Sequence, residues 1–217
     1  STFDRELLQW VMGVVSLLWL DVVLGTTGLL AQTVTTWIIT GLAAAVGIIT
    51  ARNWSPKGSI SRLNAWIISA SVIPLSVLLL AACSTPGWLW STEFGGYDAL
   101  SYHLQLPREW TYLGRINETP HNAYGYLPNG VEAAFMHLGI LQGSVWHSAV
   151  ACQLLSASWA VMAAVATARV ANRLLPESSD ALQRQLVCGL GGVMLLATPW
   201  VIVVGSLAYN ETAVLLC

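Results

Sequence analysis

A chain of 217 residues in which 55% are hydrophobic and only 9% carry a charge has too few polar side chains to coat a water-facing surface. Soluble domains usually carry about 25% charged residues, so the composition excludes an ordinary soluble domain and predicts a protein solvated by lipid. The net charge of −2 also argues against a nucleic-acid partner.

Long apolar stretches predict an all-α fold, a polytopic membrane bundle forming one domain over residues 1–217. A helix needs about 20 predominantly apolar residues to cross a bilayer. Five stretches are candidates, at residues 7–24, 34–51, 63–83, 145–168 and 186–205. A sixth starts at Thr212 and stops at Cys217, so we expect the chain to be incomplete at its C-terminus. Pro74 and Pro199 lie within spans and predict kinks.

Basic residues predict the side of the membrane on which each loop lies. Arg5 precedes the first span, and the short loops at 52–62 and 169–184 hold most of the other basic residues. These three places alternate correctly with the crossings. The pattern therefore predicts a cytoplasmic N-terminus and an extracytoplasmic position for the long segment 84–144.

The segment 84–144 is too long for a simple connector, because loops beyond about 15 residues are usually functional or disordered. It is rich in Trp and Tyr, which disfavours disorder and predicts a position at the level of the lipid headgroups. We therefore expect a long outer loop that contains amphipathic surface helices.

The part of this loop that reads YDALSYHLQLPREWTYLG predicts a bent amphipathic helix. Its expected apolar stripe consists of Leu100, Leu104, Trp110 and Leu113. Pro107 suits the first turn of a second helix, and Gly114 suits the end of that helix. Asp98 falls at or just inside the first N-terminus, a position at which Asp commonly caps a helix. Taken alone, this position favours capping over catalysis.

Further polar residues on the predicted outer face favour a catalytic role for Asp98 instead. Arg115, His121 and Glu132 follow in the same loop, and Glu211 lies at the outer mouth of the last span. One carboxylate can take the proton of an acceptor hydroxyl, and a second can hold a metal or orient the acceptor. Arg and His side chains can neutralise a leaving phosphate.

Three sequence blocks occur in order: YDALSYHLQLPREWTYLGRI, HNAYGYLPNGVEAAF and AYNETAVLL. Over residues 60–217 this arrangement resembles the bacterial GT-C class of polytopic glycosyltransferases, in the mannosyltransferase-like branch that uses polyprenyl-phosphate sugars. The resemblance implies a bacterial inner-membrane enzyme. It would transfer a sugar from a polyprenyl-phosphate donor to an extracytoplasmic acceptor with inversion, so that its partners would be the lipid bilayer and that donor.

The resemblance also implies roles for particular residues. Asp98 matches the catalytic base in the first large outer loop, and Glu211 matches the second acidic residue. The residues expected to bind substrate are Tyr102, His103, Arg108, His121 and Glu132. Some members hold a divalent metal near the acids, which makes Asp98 and Glu211 the candidate metal ligands. The chain departs from the protein O-mannosyltransferases in one respect, because Ala99 follows Asp98 where they carry a paired Glu.

Two other functions remain open from the sequence. The chain can be a non-catalytic structural subunit of a larger membrane complex, with its 11 Trp residues as interface anchors. Transport is disfavoured, because the spans are nearly free of charge. Asp21 is the exception, and we expect it to mark the outer membrane interface at the end of the first span; His137 is likewise expected at the interface.

Overall fold

A computed structural model describes residues 2–52, 62–90 and 95–217, and every regular element in these ranges is helical. The predicted all-α class is confirmed. The α-helices are α1 (Thr2–Thr26), α2 (Thr33–Arg52), α3 (Arg62–Ala82), α4 (Gln105–Leu113), α5 (Gly130–Leu141), α6 (Ala149–Leu174), α7 (Ala181–Leu196), α8 (Pro199–Gly205) and α9 (Glu211–Leu216). A π turn at Ala99–His103 and a 3-10 turn at Ala123–Tyr126 lie between α3 and α5.

Four of these helices are long and apolar enough to cross a membrane. They are Leu7–Thr26, Thr33–Arg52, Ala65–Ala82 and Ala149–Leu174. A fifth crossing arises if α7 and α8 are counted together, although they are bent by 58° at a short break. The break has a local cause: Pro199 is the first residue of α8, and its ring cannot continue the preceding helix.

Helix α6 is the element around which the C-terminal half packs, against α3, α7, α8 and α9. Gln153 of α6 is fully buried, and its amide nitrogen donates to the carbonyls of Ala82 and Ser84 at 2.8 Å each. Ser156, one turn later, donates to the carbonyl of Tyr209 at 3.1 Å, and its own carbonyl accepts from Thr212 Oγ1 at 3.0 Å. These bonds satisfy carbonyls that the ends of neighbouring elements leave open.

The segment 84–144, which was expected to lie on the membrane surface, is in part packed inside the bundle. Its last part forms α5, an apolar helix that packs against α1, α2 and α4 and in which residues 131–136 are all buried. The region predicted as the fourth span begins as a helix only at Ala149, after turns over residues 142–148. Apart from Glu132 and His137, the residues of α5 are apolar. Packing inside the bundle removes them from water.

Asp21 and His137 pair with each other inside the bundle, a contact that the sequence did not predict, and their expected position at the membrane interface stays a prediction. Asp21 is buried five residues before the end of α1, and its Oδ1 lies 2.7 Å from His137 Nδ1. The other ring nitrogen of His137 lies 2.8 Å from Thr40 Oγ1 of α2. A buried carboxylate in α1 and the break between α7 and α8 are two features that a transporter would be expected to have.

The predicted apolar stripe of the surface helix is half wrong. Leu104 and Trp110 are fully buried, but Leu100 and Leu113 are 40% and 56% exposed, and Leu106 is buried instead. The π turn is the reason. It adds a residue to one turn of helix, so positions before and after it no longer follow a single 3.6-residue period.

The Gln153→Leu variant tests the α6 anchor. It removes both donors to the Ala82 and Ser84 carbonyls, and we expect the free energy of unfolding to fall by about 1–3 kcal/mol because those carbonyls stay buried without a partner. Thermal unfolding in detergent measures the loss. Gln185→Leu, at an exposed position of α7, is the matched control and should change little; equal losses in the two variants would contradict the anchor.

Candidate functional site

Two glycines open the polar segment of the loop in a conformation that other residues rarely adopt. Gly95 and Gly96 have φ angles of 68° and 69°, and a Cβ on Gly96 would lie 2.8 Å from the Cα of Gly87. Glycine is therefore required by both backbone conformation and space. The close pass against Gly87 brings the start of the π turn next to the turns that follow α3.

Asp98 lies just inside this helical start, as predicted, but it does not cap the helix. Its backbone is helical (φ −65°, ψ −38°), and its side chain makes no cap hydrogen bond. No described residue donates to its carboxylate, which is half-buried. The capping interpretation is therefore wrong, and the carboxylate is available for another purpose.

The π turn is closed by a hydrogen bond of 2.9 Å from the Leu104 amide to the Ala99 carbonyl. Such wide turns are rare and often occur at functional sites, because they change the direction in which side chains project. Here the turn carries Tyr102 and His103, and Gly114 ends α4 with the expected left-handed φ of 73°.

A buried imidazole–carboxylate pair joins the loop to the bundle. His103 Nδ1 lies 2.6 Å from Glu132 Oε1 of α5, and both side chains are almost completely buried. We assign the proton to Nδ1, which donates to the carboxylate. His103 Nε2 and Glu132 Oε2 are buried and have no hydrogen-bond partner among the described residues.

Aromatic rings surround this pair. The ring of Tyr102 stacks on that of Tyr124 at a centroid distance of 4.0 Å and an angle of 11°, and lies 4.1 Å from the ring of His103. The ring of His103 also lies 5.1 Å from that of Tyr209, which is buried between α8 and α9. The stack fixes the Tyr102 ring, which stays partly accessible.

Three carboxylates from separate parts of the chain act on the Tyr102 hydroxyl. Burial raises the pKa of Tyr102 well above its usual value, and the negative charges of Asp98, Glu211 and Glu132 raise that pKa further. A raised pKa keeps the phenol protonated at neutral pH, so Tyr102 is a hydrogen-bond donor rather than a base. Asp98 and Glu211, which are 113 positions apart in sequence, thus both raise the pKa of one side chain.

The position of Glu211 depends on α6. Glu211 is the exposed first residue of α9, between Tyr209 and Thr212, which are both hydrogen-bonded to Ser156. Trp90 adds a second connection, since its indole nitrogen donates to Ser206 Oγ at 2.8 Å. The end of α8 and the start of α9 are thus held beside the loop.

Arg108 and His121 lie apart from the acidic group. The Arg108 guanidinium lies 5.6 Å from the ring centroid of Tyr112 and 5.8 Å from that of Trp146. His121 is exposed and pairs with Glu109 at 3.1 Å. Of the predicted site residues, direct contacts join Tyr102, His103 and Glu132. Asp98 and Glu211 are linked to them through their effect on the pKa of Tyr102, and no contact among the described residues joins Arg108 or His121 to this group.

The candidate metal ligands do not form a complete metal site. Within the described ranges, no three His, Cys, Asp or Glu side chains form a group that could hold a metal ion. Asp98 and Glu211 have no third protein ligand there. A metal bound by these two residues alone would keep most of its coordination in water or substrate.

Sequence reasoning missed the structural role of Tyr209. It belongs to the AYNET block that marks Glu211, but nothing in the sequence pairs it with His103, which lies 106 positions earlier. It missed the Asp21–His137 contact for the same reason, because the two residues are separated by 116 positions.

Neither family models, nor curated proteins, nor solved structures give a match to this chain.

Two histidines, each paired with a glutamate, test how the site is held. His103→Leu leaves the Glu132 carboxylate buried without its donor, and we expect the free energy of unfolding to fall by about 1–3 kcal/mol. His121→Leu removes an exposed pair and should cost less than about 1 kcal/mol. Thermal unfolding of both variants in one detergent gives the comparison. A larger loss in His121→Leu would show that the His103–Glu132 pair does not hold the loop.

Proposed function

We propose that this chain is part of a membrane glycosyltransferase that moves a sugar from a polyprenyl-phosphate donor to an extracytoplasmic acceptor. The observation that carries the proposal is the half-buried Asp98 carboxylate, which has no donor among the described residues and which, with Glu211, raises the pKa of Tyr102. Carboxylates repel each other, so three of them acting on one phenol lower the stability of the fold. Local features that cost stability are expected at functional sites.

The membrane part of the proposal rests on composition and helix length. Four helices are long and apolar enough to span a bilayer. The basic residues Arg52, Arg169, Arg173 and Arg184 all belong to the end opposite the acidic group in the predicted topology. We therefore place the acidic group on the extracytoplasmic side of a bacterial inner membrane, where lipid-linked sugars are the available donors.

Asp98 is the proposed base. Its half-buried carboxylate has no donor among the described residues, so it can accept the proton of an acceptor hydroxyl. As that proton leaves, the acceptor oxygen forms a bond to the anomeric carbon of the sugar. The bond from that carbon to the phosphate oxygen breaks, and its electron pair leaves with polyprenyl phosphate.

Glu211 and Tyr102 orient the reactants in this scheme. Glu211 is exposed at the start of α9 and can accept a hydrogen bond from a sugar or acceptor hydroxyl. Tyr102 keeps its proton, because its pKa is raised, and can donate to a sugar oxygen. The ring of Tyr102 packs against that of His103, so the buried His103–Glu132 pair holds Tyr102 in place.

The donor phosphate belongs beside cations rather than beside the acids. Arg108 is the proposed phosphate contact: it lies on α4 among aromatic side chains, as is typical of the headgroup level. The exposed His121 can assist when protonated. Separating cations from carboxylates lets the leaving phosphate and the attacking hydroxyl meet opposite charges, which is what inverting transfer at one carbon requires.

Asp98→Asn in the full-length protein tests the base. We expect sugar transfer from a polyprenyl-phosphate donor to fall by about 10²-fold or more, because an amide cannot accept the proton. Glu118→Gln is the matched control: it removes one carboxylate from an exposed position in the same loop and should leave transfer unchanged.

Full activity of Asp98→Asn would remove Asp98 as base. If neither the wild type nor any variant transferred sugar, and the chain purified only as a stoichiometric part of a larger membrane complex, the alternative of a non-catalytic subunit would stand instead.

A further inference from the structure

A second polar group lies inside the bundle, away from the loop. Asp21 of α1, His137 of α5 and Thr40 of α2 are joined by bonds of 2.7 Å and 2.8 Å through the two nitrogens of the histidine ring. An ionisable residue within a membrane span indicates function more often than structure. Glycosyl transfer as proposed above uses none of these three residues.

The hydrogen bonds fix the net charge of this group. Thr40 Oγ1 donates its only hydrogen to the Thr36 carbonyl at 2.9 Å, so it must accept from His137 Nε2. His137 Nδ1 and Asp21 Oδ1 then share one more proton, whichever atom carries it. In both arrangements the pair is neutral overall, and Asp21 Oδ2 remains an acceptor with no donor among the described residues.

Asp21 lines a cavity. A pocket of about 210 Å³ lies between α1, α2, α5 and α6, and Asp21, Thr40 and His137 form its polar end. Apolar side chains form the rest; on α1 they are Val14, Leu17 and Leu18. The run from Asp21 to Val14 covers about 10 Å along the helix axis. Leu17 is partly exposed, so the pocket opens sideways between helices.

A ligand that fills this pocket therefore needs two properties. The apolar length suits a hydrocarbon chain, and the unpaired oxygen of Asp21 needs a hydrogen-bond donor in a region that excludes water. A cation is disfavoured, because the Asp21–His137 pair is already neutral and a buried charge would have no counter-ion. A hydroxyl supplies a donor without a charge.

We propose that this pocket binds a long-chain alcohol of the membrane, with the hydrocarbon along α1 and the hydroxyl donating to Asp21 Oδ2. The site is distinct from the acidic group of the loop. It needs the membrane part of the proposed function but not sugar transfer.

Photolabelling tests this site on the full chain in phosphatidylcholine nanodiscs. The probe is a fatty alcohol with a diazirine in its chain, and the comparison probe is the methyl ether of the same molecule. We expect the alcohol to label α1 or α2 saturably, with competition by unlabelled alcohol. The ether should label about tenfold less, because it leaves the Asp21 oxygen without a donor.

Two alanines in α2 provide the matched variants. Ala43 lines the pocket, whereas Ala44 is exposed and does not. Ala43→Phe should fill the cavity and reduce saturable labelling about tenfold, and Ala44→Phe should label like the wild type. Asp21→Leu should remove the preference for alcohol over ether.

Three results would overturn the proposal: equal labelling of Ala43→Phe and Ala44→Phe, equal labelling of the wild type by alcohol and ether, or a preference for the alcohol that survives in Asp21→Leu. Sugar transfer is not measured in this experiment, so its outcome is independent of the Asp98 assay.

Discussion

One hydrogen bond, between His103 of the loop and Glu132 of α5, is the interaction on which the geometry of the site depends. It is 2.6 Å long and almost completely removed from solvent, so breaking it would leave a buried imidazole or carboxylate without a partner. The bond ties the π turn to a helix inside the bundle. The bond also determines the position of Tyr102, because the ring of Tyr102 packs against the rings of His103 and Tyr124. The acidic group around Tyr102 therefore has a rigid base although it lies in a loop.

Helix α5 connects the two polar groups of the molecule. Glu132 near its start bonds to His103, and His137 near its middle bonds to Asp21 and Thr40. Both polar residues lie in a helix that is otherwise apolar. Buried polar groups stabilise a fold only when they find partners, and here each partner comes from a different element. The position of α5 is thus specified by hydrogen bonds at two levels as well as by apolar packing, which by itself distinguishes poorly between neighbouring registers.

Much of the helical framework could be predicted from the sequence, because long apolar runs and proline and glycine punctuation are local signals. Gly114 ends α4, Pro199 begins α8, and Asp98 lies just inside a helix start. The errors are non-local. The π turn contains His103, whose partner Glu132 is 29 positions away, and the turn shifts the apolar stripe out of phase. The contact of Asp21 with His137 was not predicted, because the two residues are far apart in sequence and spacing alone does not pair them.

The central claim is that Asp98 and Glu211 act together in one reaction, and a double-mutant cycle on sugar transfer tests it most directly. The measured quantity is kcat/KM for transfer from a polyprenyl-phosphate sugar by the full-length protein, for Asp98→Asn, Glu211→Gln and the double variant. Residues that act as a unit are strongly non-additive. The account predicts that the double variant loses about as much activity as the more damaging single variant. Losses that multiply, or a Glu211→Gln variant with full activity, would contradict it.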